Sequence, residues 1–546
     1  MPNPFARLRA QLLRYHPFTS IFPLRPSYEH FYNPSGQWLY HDAAQRAARY
    51  TPFNVEELRK IASNSVDAGQ CTQISKLAEG SYNKIFLLTF DNDMQAIARI
   101  PSSLVGNVEL TTRSEVATMQ FLREHVGTMA APKVLAWDPH PSNPVASAYI
   151  IMEYIGGISD SEYWLEMTSA QYARVIASLF LLQAKLVVPF SQIGSLYLFE
   201  DVSPELQARP LFKDDELNKN AIAQKYRIGP IVSRDWWRRG RMNVPGDRGP
   251  WPDMPSYIIA AARLELECLE RGIDVDNPNV RSKVADISGI RRLLEMSIAI
   301  APSLVPAESS VLAPVLAHPD LNIFNMIIQS EPPHPVKSFI DWQGAIIAPI
   351  FLQASLPTAV YAMGENNLFQ TDDHSIIPPL PDDIGNFTPE EQGVMRRHYR
   401  LIQFQRVYEM EMETYLPEFA LSMAYNHQHH TRRLLKSILR CWADGPLLLQ
   451  HHLIELTDFF PEGSCPIQFP DAERAFHRDQ FEGFQTYIDA VEWLCHQTKV
   501  DPEGRVHRDD EKGAMTLLQD SKMRWHTKQM NGPYPFHGDA WSYHLV

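Results

Sequence analysis

The stretch that most constrains this chain runs from Leu316 to Pro349. The apolar run Val311-Leu312-Ala313-Pro314-Val315-Leu316-Ala317 leads into the polar residues His318-Pro319-Asp320, and a second apolar run, Met326-Ile327-Ile328, leaves them at Asn325. Short apolar runs bounded by turn residues read as buried strands. A further short strand, Val336–Ile340, ends in Asp341. The pattern predicts a tight polar loop held between two hydrophobic anchors, with a neighbouring strand bringing a second carboxylate beside it. The competing reading is an ordinary hairpin in which Asp and Asn serve only as turn formers. Two motifs in sequence, both flanked by strands, favour the first.

The spacing H-x-D-x-x-x-x-N followed by D-x-x-G resembles the catalytic loop and metal motif of the protein-kinase-like fold. Pro319 after the histidine, and Asp341-Trp342-Gln343-Gly344 where protein kinases carry Asp-Phe-Gly, look more like the aminoglycoside and choline phosphotransferase branch. This resemblance implies phosphoryl transfer. Asp320 would orient an acceptor hydroxyl and take its proton, and His318 would brace the loop. Asn325 and Asp341 would hold Mg²⁺ through hard oxygen ligands beside ATP.

The rest of the chain agrees with that plan. Residues 71–100 alternate apolar and polar positions, broken at Glu79-Gly80-Ser81 and at Asp91-Asn92-Asp93, which predicts two or three antiparallel strands. The turn at Gly80, Ser81 and Asn83 would lie over the phosphates, although it holds a single glycine. By resemblance, Arg99 occupies the third-strand position where the family carries lysine. Arginine can grip phosphate bidentately, but the exchange is not conservative at a tight site. Glu115, in a helix expected over Arg113–Glu124, would pair with it; otherwise the two are a surface charge and a first-turn acid. The run Tyr149–Gly157 reads as an edge strand ending in a flexible link. It resembles the hinge whose backbone, around Glu153 and Ile155, would hydrogen-bond adenine; the plainer reading is a core strand and a turn.

Between these landmarks lie less diagnostic segments. Residues 36–68 predict two helices, the second capped by Asn54 with Glu57 three residues on. A helix in residues 161–200 gives way to an apolar hairpin. Residues 201–257 are rich in Pro, Gly and Arg. They form either an ordered insertion stapled by Trp236, Trp237 and Trp251, or an acceptor-site lid with Arg238, Arg239 and Arg241 reaching an anion; the first is preferred. Helices are expected over 255–270 and 280–300, and long amphipathic ones beyond residue 389. His427, His429, His430, His451 and His452 invite a metal reading, but no accompanying ligand is evident at the right spacing, so they read as surface histidines.

The fold class expected is therefore α+β: a bilobal protein-kinase-like body with an antiparallel-sheet N-lobe and a mainly helical C-lobe carrying insertions. Its divisions would be a basic arm or transit segment (1–35), the N-lobe with preceding helices (36–155), the C-lobe with its 201–257 insert (156–530) and a tail (531–546). Arg7, Arg9, Arg14 and Arg25 precede any acidic residue, as in a mitochondrial targeting segment; a basic arm docked on the body is the alternative, with a cytoplasmic location. A net charge of −14 argues against a general nucleic-acid partner. Five scattered cysteines without a CxxC pair fit a reducing compartment. No apolar run is long enough to span a membrane. The expected partner is a small-molecule acceptor of unspecified identity, and the oligomeric state stays open. The motifs together, spread over most of residues 36–510, resemble fungal phosphotransferase-like proteins of the "altered inheritance of mitochondria" group, which implies a mitochondrial link. Arg99 and the single-glycine turn keep a second possibility open, a kinase-like scaffold with weak or no catalysis.

Overall fold

The computed structural model describes residues 36–541, apart from 40–41, 67–68, 159–166, 239, 274–286, 330–335, 361–379, 381, 501–503, 508–509, 526–533, 535 and 538–539. The basic N-terminal segment and Arg239 lie outside the described residues. An antiparallel five-stranded sheet is built from β1 (Cys71–Glu79), β2 (Asn83–Phe90), β3 (Gln95–Pro101), β4 (Val134–Asp138) and β5 (Tyr149–Glu153). Its order is β1-β2-β3-β5-β4. The Tyr149–Glu153 strand is thus interior, not the edge that the sequence suggests, because the intervening Val134–Asp138 segment turns back and pairs outside it.

Two helices precede the sheet, α1 (Asp42–Arg49) and α2 (Val55–Ser65). The Asn54 side chain accepts from the Glu56 and Glu57 amides, satisfying donors that the first helical turn leaves open. α2 buries Leu58 and Ala62 against Phe86, Leu88 and Ile151 on one face of the sheet. Helix α3 (Val108–His125) buries Val116, Met119, Phe121 and Leu122 in the main core.

The remainder is mainly helical, and small two-stranded sheets hold its polar loops. β6 (Ser195–Leu198) pairs with β7 (Tyr226–Gly229). β8 (Pro314–Ala317) pairs with β11 (Ile346–Pro349), and β9 (Met326–Ile328) with β10 (Val336–Phe339), all antiparallel. Chain order makes these last two pairs interlock: one loop leaves β8 for β9, and another leaves β10 for β11. Trp342, in the second loop, is fully buried and donates its indole N–H to the Ala130 carbonyl. Removing so large a buried side chain costs about 3–5 kcal/mol.

Its helices include α4 (Ser169–Leu186), α5 (Met254–Glu270), α6 (Ile287–Ile300), α7 (Pro389–Tyr415), α8 (Gln428–Asp444), α9 (Leu447–Thr457) and α10 (Asp471–Thr498). The 201–257 segment is built into this body. Trp236, Trp251 and Tyr257 stack at ring-centroid distances of 4.9–5.7 Å. Arg241 makes a fully buried two-pronged pair with Glu265 of α5, at 2.8 and 2.6 Å. Arg238 donates to the Leu439 carbonyl. These contacts match the stapled insertion and leave neither Arg238 nor Arg241 pointing toward an external anion.

The surface reading of the histidines holds for His429, which is exposed, but not for His430, His451 and His452. His452 is buried at 4% exposure, and His430 and His451 are half-buried where α8 meets α9, because packing of the two helices turns their polar faces toward each other. Among the described residues no helix is long and apolar enough to cross a membrane.

Candidate functional site

The site begins with the loop between β8 and β9. Asn322 caps a short 3₁₀ turn, its side chain accepting from the Phe324 and Asn325 amides. That cap folds residues 320–325 back on themselves, and the Asn325 side-chain amide donates to the Asp320 carbonyl at 2.8 Å. With its nitrogen committed there, the Asn325 amide oxygen is the atom left to act as a ligand. The Asn322 side chain also donates to the Asp320 carboxylate at 2.7 Å, fixing that carboxylate at an exposed position.

His318 joins this loop to the next. Its Nδ1 accepts from the Asp320 backbone N–H at 3.1 Å, and its Nε2–H donates to the Ile340 carbonyl at 2.9 Å. The ring packs against Trp342. Burial holds its pKa down to about 4, so it is neutral near pH 7. Both ring nitrogens are occupied within the protein. His318 is therefore placed as a brace rather than as a group facing substrate. The Ile340 amide, in turn, donates to the Asn325 carbonyl at 2.9 Å. Two hydrogen bonds thus lock the loop carrying Asp320 and Asn325 to the strand end carrying Asp341.

Asp341 adopts φ +66°, a left-handed conformation that a non-glycine residue takes up at a cost of about 1 kcal/mol or more. The strain turns its carboxylate toward the sheet. Arg99 of β3 meets it there, donating from Nη2 to Asp341 Oδ1 at 2.5 Å. The Nη1 of Arg99 donates to Glu115 of α3, also at 2.5 Å. The strand cation and helix acid expected from sequence are thus in contact, and the cation also reaches the second motif. Arg99 is buried, and its Nε–H has no hydrogen-bond partner among the described residues. Burial pushes the Glu115 pKa up to about 7 against the pull of Arg99. Partial burial also raises the pKa of Asp320, opposed by the Asn322 hydrogen bond and reinforced by Asp341.

The turn at residues 80–83 closes over this cluster. Asn83 and Gln343 exchange two side-chain hydrogen bonds, at 2.9 and 3.2 Å, across 260 residues of sequence. The Gly80 amide donates to the Asn83 carbonyl, so it closes the turn and is not free to bind a phosphate as the sequence suggests. A Cβ at Gly80 would meet nothing within 4 Å, so the glycine is not demanded by contact. Ser81 is half-buried at the tip.

The expected hinge is placed differently from its reading as a flexible link. The Glu153 amide donates to the Lys133 carbonyl, and its carboxylate accepts from the Lys133 amide and from Arg123. Ile155 is half-buried. Past it, Ile158 exchanges two backbone hydrogen bonds with Ile328, and Lys337 donates to the Gly156 carbonyl. A Cβ on Gly157 would lie 2.5–2.6 Å from Ile327 and the Ile328 carbonyl, so only glycine fits. The link is pinned to β9 and β10 because their backbones approach it so closely.

Asn322 and Gln343 were not singled out from the sequence. Asn322 carried a usable signal, standing two residues after Asp320 at an Asx-turn spacing. Gln343 carried none, since its partner is remote. On the other side of Asp320, a cavity of about 120 Å³ is lined by His318, Leu182, Gln183, Leu356 and Phe419.

The chain matches the phosphotransferase enzyme family over residues 73–352, just over half its length. It is 29% identical over 443 residues to a subtelomeric hrmA-associated cluster protein of Aspergillus fumigatus, covering 74% of this chain and 83% of that protein. It is 27% identical to the Yarrowia lipolytica protein named altered inheritance of mitochondria protein 9, mitochondrial, covering 77% and 73%. A solved gentamicin complex of the aminoglycoside phosphotransferase APH(2")-IIa aligns with 75% of this chain and 98% of its own, at 12% identity and a TM-score of 0.36. The matched span holds β1 to β11, and with them Arg99, Glu115, Asp320, Asn325 and Asp341. The chain belongs to the phosphotransferase enzyme family, with a protein-kinase-like fold and relatives among the altered inheritance of mitochondria proteins.

Proposed function

We propose that this protein is an ATP-dependent phosphotransferase acting on a hydroxyl of a small molecule. The observation that carries the reading is the hydrogen-bonded lock that draws Asp320, Asn325 and Asp341 together and joins them to Arg99. In this reading Asp320, held by Asn322, accepts the proton of the acceptor hydroxyl and aims its oxygen. Its raised pKa brings it closer to a useful base. The amide oxygen of Asn325 and the carboxylate of Asp341 are hard oxygen donors on facing loops, which suits magnesium. Arg99 has a buried Nε–H without a partner among the described residues, and such a donor is what a phosphate oxygen would satisfy. Magnesium and ATP would supply the charge neutralisation and the phosphoryl group. In this reading the backbone around Glu153 and Ile155 would hydrogen-bond adenine, and Ser81 and Asn83 would cover the phosphates.

A second reading rests on a specific observation. Arg99 already bonds Asp341, and Asn83 already bonds Gln343, so both contacts compete with nucleotide and metal. A protein in which they persist would be a kinase-like scaffold with weak catalysis. A mitochondrial location is part of the proposal, supported by the arginines of the first 28 residues and by the names of the relatives.

The test is a magnesium-dependent ATP turnover screen against hydroxylated metabolites, run beside thermal-shift titration with ATP. Turnover in the wild type that disappears in Asp341→Ala supports the phosphotransferase. Absence of both turnover and stabilisation at millimolar ATP and Mg²⁺ supports the scaffold.

A further inference from the structure

The geometry points to a second metal site, outside the loops that carry Asp320 and Asp341, in which His430, His451 and His452 hold one divalent transition ion of the zinc class where α8 packs on α9. One nitrogen from each of the three side chains lies within 4.8 Å of the other two. The Nδ1 atoms of His430 and His452 are 3.4 Å apart. Two nitrogens each about 2.1 Å from a tetrahedral ion sit about 3.4 Å apart. Imidazole nitrogen is a preferred donor for Zn²⁺, Cu²⁺, Ni²⁺ and Co²⁺ and a poor one for Mg²⁺ or Ca²⁺, so the class follows from the donor set.

The surroundings fit such an ion. His477 of α10 is buried, its Nε2 is 3.4 Å from His451 Nδ1, and its own Nδ1 has no hydrogen-bond partner among the described residues. Phe481 stacks on His451 at 3.7 Å between centroids and holds that ring's plane. Metal-bound imidazoles are oriented by neighbours of this kind. Arg433 and the start of α8 oppose a cation. Glu455, with a carboxylate oxygen 3.9 Å from His451 Nδ1 and acting also on His430, offsets them. Glu455 stands four residues after His451 on α9, a carboxylate at ligand spacing.

The experiment uses the full-length chain without a polyhistidine tag, stripped with a chelator and then given Zn²⁺ or Co²⁺. The expected result is one ion retained per chain after dialysis, a melting temperature raised by Zn²⁺ but not by Mg²⁺, and the intense visible absorption of four-coordinate Co²⁺. His430→Gln, at a half-buried position, is expected to melt like the stripped wild type and to lose all three responses. Glu455→Gln is expected to weaken zinc binding about 10- to 100-fold. Wild-type protein that retains no ion and melts unchanged with Zn²⁺ would overturn the proposal. So would a His430→Gln variant that binds zinc as tightly as the wild type. Neither result bears on Asp320 or on ATP turnover.

Discussion

Two buried arginine–carboxylate clusters divide this protein. In one, Arg241 of the 201–257 segment meets Glu265; both side chains are at most 1% exposed, and the guanidinium fork is matched by both carboxylate oxygens. In the other, Arg99 divides its two terminal nitrogens between Glu115 and Asp341, has no partner for its Nε–H among the described residues, and reaches a carboxylate that is 46% exposed. The pairing chemistry is the same. The Arg241 pair is closed, and a closed buried pair fixes a structure. The Arg99 cluster is open at one donor and at one half-exposed acid, and an open cluster can exchange partners with a ligand.

That contrast can be broken most decisively at the arginines and their acids. Arg241→Met removes the two-pronged guanidinium partner of buried Glu265 and is expected to cost about 3–5 kcal/mol, with ATP binding unchanged in the molecules that remain folded. Chemical denaturation measures it, and adding Glu265→Leu should recover most of the loss. Asp320→Asn is expected to lower kcat about 10²- to 10⁴-fold while the thermal shift with ATP persists. Loss of folding in that variant would show that Asp320 is structural. Arg99→Lys keeps the charge but not the fork. It should raise KM for ATP about tenfold, with melting close to wild type, which separates the open cluster from the closed one.

Acidification gives a smaller and graded effect. His318, His451 and His452 are held near pKa 4, 4 and 3, below their unfolded value of 6.5. The unfolded chain therefore takes up protons below pH 6.5 that the folded chain refuses until about pH 4, and stability falls across that window. Glu115, raised to about 7, works the other way between pH 4.5 and 7, since its folded form binds the proton more tightly. The net expectation is a falling melting temperature from pH 6.5 to 4.5, blunted by Glu115. A Glu115→Gln variant should fall more steeply. The smallest effect belongs to Asn83→Ala, which frees Gln343 and should change ATP affinity only a few-fold.

Sequence disclosed most of what lies within a single motif. Asp320, Asn325 and Asp341 were legible because loop and strand spacing placed them on adjoining elements, and Arg99 with Glu115 because strand and helix follow in order. The edge position given to Tyr149–Glu153 failed because pairing partners are chosen in three dimensions, and residues 134–138 fold back to cover that strand. The bond between Asn83 and Gln343 was invisible because nothing local couples residues 260 positions apart. The histidines failed for a related reason. Helices α8 and α9 bring His430, His451 and His452 together, and α10 adds His477, only on packing. The partner of Arg241 is not legible in the sequence, because its acid, Glu265, lies in a different helix.

The central claim is that Asp341 serves nucleotide and metal once Arg99 releases it. The most direct measurement is isothermal titration of the wild type and Asp341→Ala with ATP, with and without Mg²⁺. The account predicts that magnesium tightens ATP binding in the wild type and does nothing in the variant. Equal magnesium dependence in both proteins would contradict it.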